Sequence, residues 1–345
     1  MAYGFLGLNQ HIAIDLGTAT TKVFLRGKGI LIDEPTVAAF DRETGDVIAI
    51  GEKANKMLGR NPGGIEVIKP LADGVISEFD VTEKLLRHYI KTICGDLRIF
   101  KPVVMVSVPA RMTDVEARAV VDACDLAGAR EVYLISEPVA SAIGSGMDIS
   151  KPHGIMVVDI GGGTADIAVI TLNGISATNS VNVAGNRFDN EIIKYIQRRF
   201  KLIIGAPTAE RVKREVGCAY YNGTHKTTTV KGRNYITGIP QAVEVGNDML
   251  ADALAESVSI VVDATKSVLE RTPPELINDI KTDGILLSGG GSMLEGLDEY
   301  MSMRLNTPVV RALSPKDAVI LGAARALDNI DKFTPGAKGY IDNVF

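Results

Sequence analysis

Along the chain, short β-branched runs alternate with stretches of helical periodicity. Ile12-Ala-Ile-Asp15, Val103–Val108, Ile155–Ile160, Ala168–Leu172 and Ile285–Ser288 are near-continuous apolar runs, the pattern of strands buried on both faces. Between them, Val81 to Cys94 sets Leu85, Leu86, Tyr89, Ile90 and Ile93 on one helical face. Thr113-Asp-Val-Glu116 is a capping box that opens a helix running to about Ala127. A longer helix is expected from about Asp248 to Arg271, where Leu250, Leu254, Val258, Val261, Val262 and Val268 keep the same spacing and Thr272-Pro-Pro stops the run. The class predicted is α/β.

The chain also repeats itself. Ile12-Ala-Ile-Asp15-Leu-Gly17-Thr18-Ala19-Thr20 and Val157-Val-Asp159-Ile-Gly161-Gly162-Gly163-Thr164 both read strand, then Asp-x-Gly-x-x-Thr, then a second β-branched run. The copies lie 144 residues apart, which predicts two similar domains facing each other across a cleft. In such a hairpin glycine permits a tight turn and close approach of a ligand, and successive inward amides form an anion nest. An aspartate closing the preceding strand is useful beside an anion only with a cation between them. Asp15 and Asp159 are therefore candidate magnesium-facing carboxylates, acting mainly through water. Two facing hairpins then hold a triphosphate. A third element, Gly289-Gly290-Gly291-Ser292, follows a buried strand and precedes Met293-Leu-Glu-Gly-Leu, read as helical; it suits backbone contact with an α-phosphate or adenosine.

Composition narrows the classes. At about 150 residues per domain, 345 residues make about two domains with ample core. Lys+Arg 37 against Asp+Glu 42 leaves a net charge of −5, which excludes wholesale nucleic-acid binding by counterion release. Cys94, Cys124 and Cys218 are too few and too scattered for a disulfide framework or a CxxC site, so a reducing, cytoplasmic setting is expected. No window approaches the roughly 20 apolar residues of a membrane span, and the first ten residues lack a secretory pattern. There is no Walker P-loop, and His11, His88, His153 and His225 have no ligand spacing and are assigned no role.

The paired hairpins, the Ser-Gly-Gly-Gly-Ser turn and their spacing resemble the superfamily of actin, sugar kinases and heat-shock-chaperone ATPases. Within it, Ile14-Asp-Leu-Gly-Thr-Ala, Gly27-Lys-Gly-Ile, Ile68-Lys-Pro-Leu-Ala-Asp-Gly-Val-Ile, Glu137-Pro-Val-Ala, Val158-Asp-Ile-Gly-Gly-Gly-Thr and Arg271-Thr-Pro-Pro-Glu-Leu resemble the MreB/Mbl family of bacterial actins, from about residue 11 to 330. The resemblance implies an actin-like fold of two RNase-H-like domains, each with a smaller insertion, and ATP with magnesium in the cleft between them. It places the first large domain at 1–38, 72–151 and 322–345 with its insertion at 39–71, and the second at 152–187 and 255–321 with its insertion at 188–254.

Roles follow residue by residue. The resemblance makes Asp15, Gly17, Thr18, Ala19 and Thr20 the first phosphate loop, and Asp159, Gly161, Gly162, Gly163 and Thr164 the second. Glu137 becomes the water-positioning carboxylate, with Thr164 its partner near the γ-phosphate. Glu210 and Lys213 share a helical face and resemble an adenosine-contacting pair; an exposed salt bridge is the plainer reading. Gly185 and Asp189 match a turn into the second insertion, with a structural role. Thr20, Ser136 and Ala165-Asp166 depart from the family pattern, which leaves the hydrolysis rate open.

Assembly is implied too. Such proteins form head-to-tail, paired filaments on the inner face of the cytoplasmic membrane, where they meet membrane-bound shape or wall-synthesis proteins. Ile99 and Phe100, between Arg98 and Lys101, suit an anionic interface, as do Tyr3, Phe5, Leu6 and Leu8; capping the core is the plainer reading. The expected function is a slow ATPase that polymerises and acts in cell shape. The rivals are a small-molecule kinase, for which no acceptor motif is found, and a chaperone-type switch, for which about fifteen residues after the last expected helix leave no room.

Overall fold

The structure, a computed structural model, describes residues 10–95 and 101–332. Strands β1 (His11–Leu16), β2 (Thr20–Leu25) and β3 (Gly29–Pro35) form an antiparallel meander. β4 (Ala38–Asp41), β5 (Val47–Ile50), the one-turn α1 (Glu52–Asn55) and β6 (Ile65–Ile68) build a small three-stranded sheet with its helix. The two-residue strands β7 (Leu71–Ala72) and β8 (Val75–Ile76) make a hairpin of their own. Next come α2 (Phe79–Cys94), β9 (Val103–Val108), α3 (Asp114–Ala127), β10 (Glu131–Ser136) and α4 (Glu137–Gly144). The first large sheet runs β10-β9-β1-β2-β3, with β10, β9 and β1 parallel.

The second half restates this plan. β11 (Ile155–Ile160), β12 (Ala165–Thr171) and β13 (Gly174–Val181) are again a meander. α5 (Gly185–Phe200), β14 (Leu202–Ile203), α6 (Ala206–Val216), β15 (Thr227–Asn234) and β16 (Pro240–Gly246) contribute a second small sheet. α7 (Asn247–Arg271), α8 (Pro274–Asp283), β17 (Ile285–Ser288), α9 (Leu297–Leu305), β18 (Val309–Arg311) and α10 (Ala318–Ala326) complete it. Its large sheet runs β13-β12-β11-β17-β18, strand for strand the first one over again. The repeat around Asp15 and Asp159 is thus a repeat of a whole sheet.

Burial of both sheet faces explains the continuous apolar runs. Ile12, Ile14, Val104 and Val106 pack on α2 and α3. Met156, Val158 and Ile160 face Leu254, Val258 and Val261 of α7. The alternate residues, Ala13, Met105 and Ile135 from one sheet and Val157, Ala168 and Ile170 from the other, share a third core with α4 and α10. Those two helices cross between the sheets at van der Waals contact: a Cβ on Gly144 would lie 1.8 Å from the Ala318 carbonyl oxygen, and one on Gly322 1.7 Å from that of Ala140.

Two readings need adjustment. The strand expected over Ala168–Leu172 begins at Ala165 and stops at Thr171, because Leu172 and Asn173 turn with positive φ. The helix expected to open at Met293 opens only at Leu297: a single 3-10 turn covers Gly291–Met293, and Gly296 in the left-handed region separates it from α9. Ile99 and Phe100, like Tyr3, Phe5, Leu6 and Leu8, lie outside the described residues.

Candidate functional site

The two hairpins share one geometry. The Gly17 N–H donates to the Thr20 carbonyl at 3.1 Å, and the Gly161 N–H to the Thr164 carbonyl at 2.9 Å. Asp15 and Asp159 sit near the ends of the central strands, in step with Ala13 and Val157, so both face the space between the sheets. Each has a serine beside it on the neighbouring parallel strand. Ser107 Oγ donates to Asp15 Oδ1 at 2.9 Å, and Ser288 Oγ to Asp159 Oδ1 at 2.7 Å. Ser141, one turn beyond Glu137 on α4, donates to Ser288 Oγ at 2.6 Å, so Glu137's helix is wired to Asp159. The signal was present in the sequence, since the runs Val103–Val108 and Ile285–Ser288 each carry one serine at or next to their end.

The hairpins touch. A Cβ on Gly162 would lie 2.5 Å from Ala19 Cβ, and one on Gly163 2.7 Å from Thr18 Oγ1. Thr36 Oγ1 braces the first hairpin by donating to the Gly17 carbonyl at 2.6 Å, while Thr20 is exposed at its rim. The third glycine-rich turn leans on the second hairpin: Gly291 abuts Ile160 and the Gly161 carbonyl, Ser292 Oγ donates to the Gly289 carbonyl at 2.6 Å, and Gly290 is open. The three elements named from sequence therefore converge on one cleft.

Four carboxylates line it. Glu137 is the first residue of α4, followed by Pro138. Burial, with Asp166, Asp159 and Asp15 adding repulsion, raises its proton affinity well above that of an ordinary carboxyl. Burial also pushes Asp159 up to about 7, tempered by Ser288, and Asp15 up to about 6, tempered by Ser107. Asp166, opposite Asp159 on β12, is fully buried and likewise shifted upward by burial. Its Oδ1 accepts the Ala110 N–H at 3.0 Å, a bond between the two halves, and its Oδ2 has no partner. At the matching place opposite Asp15 stands Lys22, held by Asp33 at 2.7 Å and Asp317 at 2.8 Å. Asp166 entered the sequence reading only as a departure and Lys22 not at all, because neither burial nor the other strand's partner is visible locally.

A thermal consequence follows. Carboxyls that bind protons more tightly in the folded chain stabilise it below the ordinary value of 3.8, and that contribution disappears as pH rises through about 6 for Asp15 and about 7 for Asp159. Moving one carboxyl from near 4 to about 7 corresponds to roughly 4 kcal/mol as an upper bound. Without nucleotide, this contribution to stability is expected to fall between pH 5 and 7.5, and Asp159→Asn to flatten the fall. Thermal denaturation across that range, parent against variant, checks it.

On the far side of the cleft, Lys213 reaches Asp189 Oδ1 and the Gly185 carbonyl, both at 2.9 Å. The Gly185 and Asn186 amides donate to the Gly161 and Gly162 carbonyls at 3.2 and 2.8 Å, tying α5 to the second hairpin. Glu210 pairs instead with Arg214 at 2.5 Å. The plainer reading of Glu210 and Lys213 as a mutual salt bridge is thus corrected: an i,i+4 partner takes the glutamate, and a buried aspartate takes the lysine. Ser136, ahead of Glu137, is buried with its hydroxyl unpartnered.

The MreB/Mbl protein family model matches residues 9–335. The chain belongs to the MreB/Mbl family. It is 45% identical over 323 residues to the cell shape-determining protein Mbl of Bacillus subtilis, covering 94% of this chain and 97% of that protein. To the cell shape-determining protein MreB of Escherichia coli it is 43% identical over 328 residues, 94% of each. Among solved structures, MreB5 of Spiroplasma citri bound to AMPPNP superposes with a TM-score of 0.90 at 32% identity, covering 95% of this chain and 98% of that one. MamK, solved as a double helical filament, gives 0.79 at 22% identity over 93% and 99%, which speaks for the fold. The two-sheet architecture of this MreB/Mbl chain is therefore the actin-like fold.

Proposed function

We propose that this chain binds ATP between the Asp15 and Asp159 hairpins, hydrolyses it slowly, and polymerises into membrane-associated cytoskeletal filaments that act in cell shape. The observation that carries the nucleotide reading is the doubled Asp–Ser hairpin, with Glu137 at the head of a helix wired to the second copy. Relatives bound to AMPPNP and to ADP support it. In this reading Gly17, Thr18, Ala19 and Thr20 hold phosphate from one side, and Gly161, Gly162, Gly163 and Thr164 from the other. Gly289, Gly290, Gly291 and Ser292, with Glu210 and Lys213, flank the nucleoside. Glu137 and Thr164 orient the attacking water, since phosphoryl transfer needs positioning and charge stabilisation more than covalent help.

Magnesium fits these residues. Enclosed carboxylates that repel one another and retain protons, with the unpartnered Oδ2 of Asp166 beside them, are suited to a divalent cation. Among the described residues no three His, Cys, Asp or Glu side chains are arranged to ligate an ion directly, which suits Asp15 and Asp159 acting through water. The ion would supply charge neutralisation on the phosphates.

Polymerisation is drawn from the family resemblance, in which subunits join head to tail; contacts of that kind do not close and so generate fibres. No helix among the described residues is long and apolar enough to cross a membrane. Peripheral contact through Ile99 and Phe100 at the inner face, and docking of membrane-bound shape or wall-synthesis proteins, complete the proposal. Pelleting over a concentration series with ATP, ADP or no nucleotide, viewed by negative-stain electron microscopy, tests it. Filaments above a critical concentration with ATP are expected. ATP binding without polymer under any nucleotide would favour a switch or kinase on the same fold.

A further inference from the structure

One family-like stretch, Lys69-Pro-Leu-Ala-Asp-Gly-Val-Ile76, has so far no role. It is the β7–β8 hairpin, in which Ala72 pairs with Val75 across a two-residue turn. Asp73 and Gly74 both adopt positive φ, 49° and 80°, the geometry of a type I′ turn that Asp-Gly favours. The hairpin belongs to the first half of the chain, yet its tip touches both phosphate hairpins. The Gly74 N–H donates to Thr18 Oγ1 at 2.9 Å. A Cβ on Gly163 would lie 2.9 Å from Asp73 Cα. A Cβ on Gly74 would lie 2.7 Å from Pro109 Cγ and 3.2 Å from Thr164 Cγ2. Asp73 Oδ2 accepts a long bond from Asn182 Nδ2, 3.4 Å, beyond the end of β13.

We propose that the Asp73–Gly74 turn is a positioning element for hydrolysis, setting the orientation of the Thr164 and Thr18 hydroxyls; this rests on the ATPase reading above. Thr18 Oγ1, occupied as an acceptor by Gly74, keeps its own hydrogen to donate to a phosphate oxygen. Thr164 has few χ1 options, and a Cβ at position 74 would crowd both its methyl, at 3.2 Å, and its hydroxyl, at 3.5 Å, so glycine there leaves room for the rotamer in which the hydroxyl meets Asp166 beside the attacking water. The turn acts through shape: only a residue without a Cβ leaves room for Pro109 and the Thr164 methyl at once.

The test uses the full chain with magnesium and ATP. Affinity is read by titration with a fluorescent ATP analogue, and chemistry by single-turnover cleavage. Gly74→Ala is expected to slow cleavage about ten-fold with affinity within about two-fold, since small misplacement of a reacting group costs rate before binding. Adding Thr164→Ser, which removes the methyl and keeps the hydroxyl, is expected to recover part of that loss. Asn182→Ala, at an exposed bond, is expected to slow cleavage about two-fold and covers the case in which Gly74→Ala does not fold. Parental cleavage in Gly74→Ala would overturn the proposal, as would equal loss of affinity and rate with no recovery by Thr164→Ser; if Gly74→Ala does not fold, parental cleavage in Asn182→Ala would do so. A parent chain that binds ATP but never cleaves it would overturn the ATPase reading instead.

Discussion

Glu137→Ala is expected to lower ATP cleavage about a hundred-fold while nucleotide binding and assembly persist. The residue heads α4, its helix is wired through Ser141 and Ser288 to Asp159, and its carboxyl is repelled by Asp166, Asp159 and Asp15. Burial, with that repulsion added, holds its proton affinity high, which suits a group that orients water and accepts its proton late in the reaction. Removing the carboxylate leaves both hairpins and their serines in place, so affinity is retained or improved as one repelling charge goes. Single-turnover cleavage beside pelleting of the same samples checks it. Parental turnover in the variant would move the water-orienting role to another residue, Asp166 being the acid whose charge acts most strongly on Glu137.

The second large effect lies at the helix crossing. Gly322→Ala is expected to destabilise the chain by about 3 kcal/mol or more, because its Cβ would meet the Ala140 carbonyl oxygen at 1.7 Å and carbon at 2.5 Å. The obstacle is backbone, so relief requires separating α4 from α10. That separation would carry Glu137 and Ser141 away from Asp159, and would strain the Lys22–Asp317 bridge at the start of α10. Gly144→Ala meets the Ala318 carbonyl in the same way. Gly290→Ala is the control: its φ is −66° and no atom lies within 4 Å, so a change below about 0.5 kcal/mol is expected. Urea denaturation of the three variants decides the matter.

Much of the architecture was legible from residue order. The apolar runs, the Thr113 capping box and the helix stopped by Thr272-Pro-Pro all appear where periodicity puts them, because strand and helix periods and caps are set by near neighbours. The doubled Asp-x-Gly-x-x-Thr was enough to foresee two like halves, since the same tight turn between two strands needs the same residues at the same spacing in each copy. The reading stumbled where glycine set the backbone locally, at Gly296, and where side chains had a choice of partners, as with Glu210 and Lys213.

Other features belong to the assembled sheets alone. Asp15 meets Ser107, Asp159 meets Ser288, Asp166 meets the Ala110 amide, and Gly74 meets Thr18 over separations of 92, 129, 56 and 56 residues. Such contacts depend on which strand lies beside which and on how closely two sheets approach. The same holds for the raised proton affinities, which come first from burial of each carboxylate between the assembled halves, with mutual repulsion adding to it at Glu137 and Asp159. Local order specifies elements and turns because its interactions span a few residues; charge, burial and partnership in the cleft arise only when distant segments exclude water between them.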